Sequence, residues 1–252
     1  MEAAGTDSDG REFKSPDEMW LEHTGDNNKK TQWYRDGVAY WEGVEASVNG
    51  VLGGYGHVND ADVKGSEGFL QTLLAELFVD GGIDRHLVAL DCGSGIGRIT
   101  KNLLIRYFNE VDLLEPATNF YCVPLQEFTP DVGRYDVIWV QWCIGHLTDD
   151  DFVSFFNRAK IGLKPGGFFV LKENLARSGF VLDKEDRSIT RSDSYFKGLF
   201  SRCGLHLYNS REQKGLPKEL FAVKMYALTT DIPKKVTKAR SKVKANRPGI
   251  IK

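Results

Sequence analysis

The chain has 252 residues, of which 41% are hydrophobic and 27% charged, with a formal charge of −2 and four cysteines. That length and balance suit one α/β domain with appendages and a full apolar core. No apolar run reaches the roughly 18 residues a membrane-spanning helix needs, and residues 1–15 are polar and acidic, without the apolar stretch of a secretory signal. Cys92, Cys122, Cys143 and Cys203 are scattered, with neither a CxxC pair nor histidines at metal spacing. No metal or disulfide framework is expected, and a reducing setting, cytoplasm or nucleus, is. Charge is uneven: residues 229–252 hold eight Lys or Arg against one Asp, a local +7, so the other 228 residues carry −9. A body this acidic repels nucleic acid and attracts basic peptides by long-range steering.

Residues 1–30 lack periodicity and are expected to form a disordered arm. Trp33, Tyr34, Tyr40, Trp41, Val44 and Val48 follow helical spacing over residues 31–49, and Leu52-Gly-Gly-Tyr-Gly56 is a glycine-dense loop. Ser66 stands as the cap of a helix whose apolar face is Phe69, Leu70, Leu73, Leu74, Leu77 and Phe78, ended by Gly81-Gly82. Strand and helix then alternate: strand 86–91, a glycine turn, helix 99–108, strands 110–115, 119–125 and 135–141, helix 150–160, strand 167–173, helix 193–203, and strands 205–209 and 221–228. The alternation predicts a Rossmann-like α/β fold, a doubly wound, mostly parallel sheet with helices on both faces. The domain plan is an arm over 1–30, a globular domain over 31–228 with a helical and glycine-loop extension at 31–65, and a basic, disordered tail over 229–252.

The turn Cys92-Gly-Ser-Gly-Ile-Gly97, followed by Arg98, joins a strand to a helix. Glycines let the backbone approach a ligand closely, and a helix start offers free N–H groups to an anion. The spacing is G-x-G-x-G, not the G-x-G-x-x-G that cradles a pyrophosphate, and the adjacent guanidinium suits a carboxylate. S-adenosylmethionine (SAM), which has a carboxylate and no phosphate, is favoured over NAD. Glu115, at the end of the next strand, is placed to accept both ribose hydroxyls. Leu163-Lys-Pro-Gly-Gly-Phe-Phe-Val-Leu-Lys172 resembles the turn before the fifth strand of class I methyltransferases.

Further strings resemble the α-N-terminal protein methyltransferases, which act on proteins beginning Xaa-Pro-Lys. They are Tyr40-Trp41, Val51-Leu-Gly-Gly-Tyr-Gly-His57, Leu90-Asp-Cys-Gly-Ser-Gly-Ile-Gly-Arg-Ile-Thr-Lys101, Leu125-Gln-Glu-Phe-Thr-Pro130, Tyr135-Asp-Val-Ile-Trp-Val-Gln-Trp-Cys-Ile-Gly-His-Leu-Thr148 and Lys172-Glu-Asn174. The resemblance implies SAM as cofactor, held by Gly93, Arg98, Glu115, Leu125, Gln126 and Gln141. It implies a peptide channel shaped by Trp41, Leu52, Gly53, Trp142, His146, Asn174, Asp183, Asp186 and Ser188, with protein N-terminal tails as partners. Trp142 can wall a pocket against the flat ring of a second-position proline, Asp183 and Asp186 can together hold a lysine at position three, and Asn174 can fix a peptide carbonyl or amide. An α-ammonium must lose its proton before it attacks a methyl group, and His146 or Asp186 would serve as the base.

The pattern breaks at one place. Only Pro116-Ala-Thr118 separates Glu115 from the expected strand at Asn119, whereas neighbouring parallel strands need a crossover of roughly 10 to 12 residues. One crossover helix is missing after Glu115. Either a strand has been lost from the sheet or a segment of about 20 residues is absent. The resemblance also departs at Phe221, where animal relatives carry tyrosine. Two alternatives stay open: a class I methyltransferase acting on a small molecule, and a damaged form that binds N-terminal tails without methyl transfer.

Overall fold

The structure, a computed structural model, describes residues 4–78, 85–114 and 123–232. The N-terminal part runs β1 (Gly5–Asp7), β2 (Glu12–Phe13), α1 (Pro16–Thr24), α2 (Asn27–Glu42), α3 (Val48–Val51) and α4 (Asn59–Leu77). The α/β part follows as β3 (Val88–Cys92), α5 (Arg98–Asn102), β4 (Glu110–Leu114), β5 (Tyr135–Gln141), α6 (Asp149–Ala159) and β6 (Leu163–Leu175). A hairpin of β7 (Phe180–Asp183) and β8 (Ser188–Arg191) comes next, then α7 (Asp193–Arg202), β9 (His206–Glu212) and β10 (Ala222–Thr229).

The main sheet has the order β4-β3-β5-β6-β10-β9. Strands β3 to β6 are parallel, and β10 lies antiparallel between β6 and β9. Side chains alternate in direction along a strand, so a sheet buried on both faces must be apolar at consecutive positions. Ile138 and Val140 of β5 and Phe169 and Leu171 of β6 meet Phe152, Phe155 and Phe156 of α6 on one face. Val137, Trp139, Phe168 and Val170 meet Phe69, Leu70 and Leu73 of α4 on the other. The doubly wound, mostly parallel expectation therefore holds, with helices on both sides of the sheet.

Among the described residues no strand lies beyond β4. Residues 119–122 of the expected strand 119–125, together with Glu115 and Gly81-Gly82, lie outside the described residues, and 123–125 form a bend and the start of a turn. Three residues cannot join two parallel neighbours. β4 and β5 flank β3, and residues 115–134 separate them in sequence, a length that satisfies the crossover minimum of about a dozen residues.

The expectation of a disordered arm over residues 1–30 is corrected. Strands β1 and β2 and helix α1 occupy residues 5–24, and α2 starts at Asn27, ahead of residue 31. Helix α1 begins with Pro16 behind Ser15, whose hydroxyl accepts the Glu18 N–H, a standard helix start. Phe13, Met19, Trp20 and Trp33 bury themselves against Phe180, Leu182 and Ile189 of the β7–β8 hairpin. Strand β1 pairs in parallel with β7, giving a second sheet in the order β2-β1-β7-β8. The partner that orders the arm lies more than 150 residues away in sequence, so periodicity within the arm carries no trace of it. Helix 31–49 is likewise two pieces, because α2 stops at Gly43. The helix placed at Ser66 starts at Asn59, and Ser66 is buried inside it. The segment 99–108 is a five-residue helix followed by a short 3-10 turn. The described chain continues to residue 232, and the tail from 233 lies outside it.

Trp20 sits edge-on to Trp33 with ring centroids 5.4 Å apart. Trp20→Ala is expected to cost about 3 to 5 kcal/mol of unfolding free energy in urea titration. A disordered arm would show no loss.

Candidate active site

Strand β3 delivers the chain to the glycine turn, where Gly93, Gly95 and Gly97 have φ of +64°, +52° and +72°. At Gly93 a Cβ would stand 2.4 Å from Cys143 Cβ, so no side chain fits. At Gly95 and Gly97 a Cβ would meet nothing within 4 Å. Among the described residues the turn is thus tight against the protein at Gly93 and leaves room at Gly97, as a close-lying ligand requires. Helix α5 has only five residues, so side chains rather than a helix dipole must supply the attraction for an anion.

They do so through a buried cluster centred on Asp62 of α4, which is fully buried. Arg98 donates from Nη1 to Asp62 Oδ2 at 2.7 Å and to Asn59 Oδ1 at 3.1 Å. Lys172 of β6, also fully buried, pairs with Asp62 Oδ1 and donates to Ser66 Oγ at 2.8 Å and Gln213 Oε1 at 2.7 Å. Burial pushes the Lys172 ammonium below the usual lysine range, Asp62 pulls it back, and the Arg98 charge adds to the depression. Among the described residues, two buried cations and one carboxylate leave the cluster one negative charge short, an arrangement costly to bury unless an anion completes it. Ser94 Oγ is buried beside Gly93 in the turn, with no hydrogen-bond partner among the described residues. An amino-acid carboxylate fits this donor set.

Gln141 was expected to touch the cofactor. Its amide donates to both Asp62 oxygens, at 3.2 and 3.1 Å, and its carbonyl oxygen accepts from Trp139 Nε1 at 3.0 Å. Gln141 therefore steadies Asp62, and through it Arg98. Leu125 packs on the same apolar cluster as Cys92 and Ile144. The carbonyls of Leu125 and Gln126 are held by Arg158 Nη2, at 3.3 and 2.7 Å. Glu115 lies outside the described residues.

Beyond Trp142 lies a cavity of about 250 Å³ lined by Trp41, Leu52, Trp142, His146, Asn174, Asp186 and Ser188. Seven expected substrate-side residues, drawn from five separate segments, thus share one wall. Gly53 and Asp183 are not in the lining. Gly53 is an exposed turn residue at φ +57°. Asp183 Oδ1 accepts the backbone N–H of Glu185 at 2.8 Å and of Asp186 at 3.4 Å, shaping the turn that presents Asp186.

Trp142 divides the two halves. Its ring centroid lies 5.4 Å from the Arg98 guanidinium carbon and 5.8 Å from Lys172 Nζ. Its φ is +53°, a conformation that a bulky residue adopts only when its surroundings impose it. The indole Nε1 is buried without a hydrogen-bond partner among the described residues.

His146 Nδ1 lies 3.1 Å from the Arg187 carbonyl oxygen and therefore carries the proton as a donor. Its Nε2 then accepts from Trp41 Nε1 at 3.0 Å, so both ring nitrogens are engaged. Asp186 Oδ1, by contrast, is buried with no hydrogen-bond partner among the described residues. Burial raises the Asp186 carboxyl above its ordinary range and nearby Asp183 adds to the effect, while Ser188 and His146 oppose it.

Sequence reasoning missed four residues here: Asp62, Lys172, Glu173 and Gln213. Lys172 and Glu173 lay in the quoted Lys-Glu-Asn string without a role, and nothing local marked Asp62 or Gln213. Glu173 lines the cavity, its Oε1 accepts the Ile144 N–H at 3.3 Å, and burial pushes its carboxyl up to about 7.

The fold and the site together define a class I SAM-dependent methyltransferase. The model of the AdoMet dependent proline di-methyltransferase family matches residues 29–120 and 114–229, two stretches that meet at the shortened link after Glu115. The chain belongs to that family. It is 70% identical to the Arabidopsis thaliana protein named alpha N-terminal protein methyltransferase 1, over 276 aligned positions covering 100% of both chains. A chain of 252 residues leaves at least 24 of those 276 positions unfilled, about the size of the missing crossover. It is 40% identical to the Xenopus laevis N-terminal Xaa-Pro-Lys N-methyltransferase 1-B, over 79% of this chain and 96% of that one. Among solved structures, a SAM-dependent methyltransferase of Leishmania major superposes with a TM-score of 0.81 at 38% identity, covering 91% of this chain and 97% of that one.

Glu173 titrates at about 7 when folded, against an ordinary value of 4.5. Between those values the folded state keeps a proton that the unfolded state has lost, so stability falls as pH rises from about 4.5 to 7, by no more than roughly 3 kcal/mol. Glu173→Gln is expected to remove that part of the slope in denaturation series across this range. An unchanged slope would mean the carboxyl is not held protonated.

Proposed function

We propose that the chain methylates the α-amino nitrogen of protein N-termini beginning Xaa-Pro-Lys, with Asp186 as the proton acceptor. The observation that carries the reading is the buried Asp186 Oδ1 in the tryptophan-walled cavity, without a hydrogen-bond partner among the described residues. The names of the Arabidopsis and Xenopus relatives support the substrate class. When bound, SAM supplies an electrophilic methyl group, and Arg98 with the glycine turn would hold its carboxylate. The remaining steps belong to the protein. An α-ammonium has an unperturbed pKa near 8, and a carboxyl raised by burial is a better-matched acceptor for its proton than an ordinary aspartate. His146 cannot accept that proton at Nε2 without releasing Trp41, so its part is to fix the cavity wall beside Asp186. The ring of Trp142 meets the proline, the cavity excludes water around the amine, and the acidic turn 183–186 attracts the lysine. Holding the nitrogen in line for attack supplies much of the acceleration.

Asp186→Asn is expected to lower kcat at least 100-fold and to flatten the acidic limb of the pH–rate profile, which in the parent chain falls as pH drops through the raised Asp186 value. Full activity in Asp186→Asn would remove it as the base. A Ser-Pro-Lys peptide is expected to be methylated at least tenfold faster than Ser-Pro-Glu by mass spectrometry; equal rates would favour a substrate without the lysine requirement.

The shortened link after Glu115 supports a second reading, capture of N-terminal tails without transfer. Calorimetric titration of S-adenosylhomocysteine into this chain, and into a version with the Arabidopsis segment grafted at 116–118, separates the two. Binding by both fits the enzyme, and binding only by the grafted form fits the capture reading. The cytoplasm and nucleus are the proposed setting, supported by the unbridged thiols of Cys92 and Cys203. No helix among the described residues is long and apolar enough to cross a membrane.

A further inference from the structure

We propose that Lys172 and Gln213 are positioning residues that tie the carboxylate-binding cluster around Arg98 to the far wall of the substrate cavity, so that an anion bound at Arg98 tightens the cavity for the peptide. The inference rests on the preceding reading's assignment of the peptide to the cavity and of the cofactor's carboxylate to Arg98.

Lys172 stands where the two halves meet. Its ammonium is shared among the Asp62 carboxylate, the Asp62 carbonyl at 3.1 Å, Ser66 Oγ at 2.8 Å and Gln213 Oε1 at 2.7 Å. The first three belong to α4 and the last to the residue that follows β9. Gln213 is clamped in turn: its amide donates to the Ala61 carbonyl at 2.9 Å and the Lys214 carbonyl at 2.7 Å, and its backbone N–H reaches Val223 O at 2.8 Å. It thereby anchors the root of the segment 214–221, whose Leu216, Leu220 and Phe221 line the substrate cavity. The seat for Gln213 is made by the absence of a side chain: a Cβ on Gly65 of α4 would stand 2.2 Å from Gln213 Oε1.

The electrostatics give this chain of contacts a direction. Among the described carboxylates Asp62 alone is salt-bridged to the buried cations Arg98 and Lys172. A carboxylate arriving on the guanidinium relieves Asp62 of part of that duty and brings the cluster to neutrality. Lys172 is then better held by Asp62 and keeps its grip on Gln213. A ligand that binds the same turn without a carboxylate leaves the deficit in place. By linkage, tightening of the wall by the anion and tightening of the anion by an occupied cavity are one coupling.

The test uses the full chain and two nucleosides: S-adenosylhomocysteine, which carries the amino-acid carboxylate, and 5′-methylthioadenosine, which lacks it. A Ser-Pro-Lys peptide is titrated calorimetrically into the chain saturated with each, and amide exchange of 214–221 is followed by mass spectrometry without peptide. The peptide should bind at least about fivefold more tightly with S-adenosylhomocysteine, and exchange over 214–221 should slow with that nucleoside only. Gly65→Ala displaces the Gln213 side chain while favouring the helix, and Gln213→Leu removes its polar contacts. Both should bring the affinity ratio to near one and abolish the exchange difference, with S-adenosylhomocysteine affinity changed less than about threefold. Equal behaviour with the two nucleosides, or a ratio that survives in both variants, overturns the inference. If the peptide fails to bind in every state, the substrate reading fails, and the exchange difference alone decides the present proposal.

Discussion

One buried carboxylate, Asp62, carries more of this molecule than any motif in it. It lies on α4, packed over the sheet, and receives Arg98 from the glycine turn, Gln141 from β5 and Lys172 from β6. Removing a partner from such a cluster leaves a buried charge uncompensated, which costs far more than the pair contributes when intact. Three strand ends are therefore held in a fixed relation to the helix above them, and the cluster keeps one unit of positive charge for an incoming carboxylate. The affinity for SAM and the rigidity of the sheet's C-terminal edge share a cause.

Trp142 separates the consequences. Its left-handed backbone turns the chain sharply off β5, so the ring faces the Arg98 and Lys172 cations while the following residues reach the cavity where His146 stands. Strain of this kind persists only where the surroundings over-determine it. Within the cavity, two candidate bases are told apart by what they touch. The histidine is engaged at both nitrogens, and the aspartate has a free oxygen in a poorly solvated place.

The N-terminal segment and the shortened link show the fold absorbing what sequence rules alone would forbid. Residues 5–24 pack on the hairpin that presents Asp183, Asp186 and Ser188, and Lys184 at its tip is salt-bridged to Asp9. The segment is a buttress for the substrate side, attached by a sheet of its own. At the link, β4 and β5 lie on either side of β3 and are separated by residues 115–134, long enough for a crossover. The four parallel strands and the glycine turn stay in place, because they depend on neighbours inside the sheet rather than on its edge.

The amino-acid sequence alone determined the alternation of strands and helices, the glycine turn with its arginine, and the residues of the cavity that fall in unusual strings. These are signals of local spacing: period two or 3.6 in apolar residues, glycines at fixed intervals, tryptophans one step past a strand. Tertiary structure alone decided which carboxylate pairs with Arg98, why Gln141 braces the site from behind, that Asp183 shapes a turn rather than lining the cavity, and that residues 5–24 are ordered. Asp62, Lys172 and Gln213 come from segments far apart in the chain. A buried charge finds its partners by desolvation and distance in three dimensions, and neither leaves a periodic mark on the segments it joins.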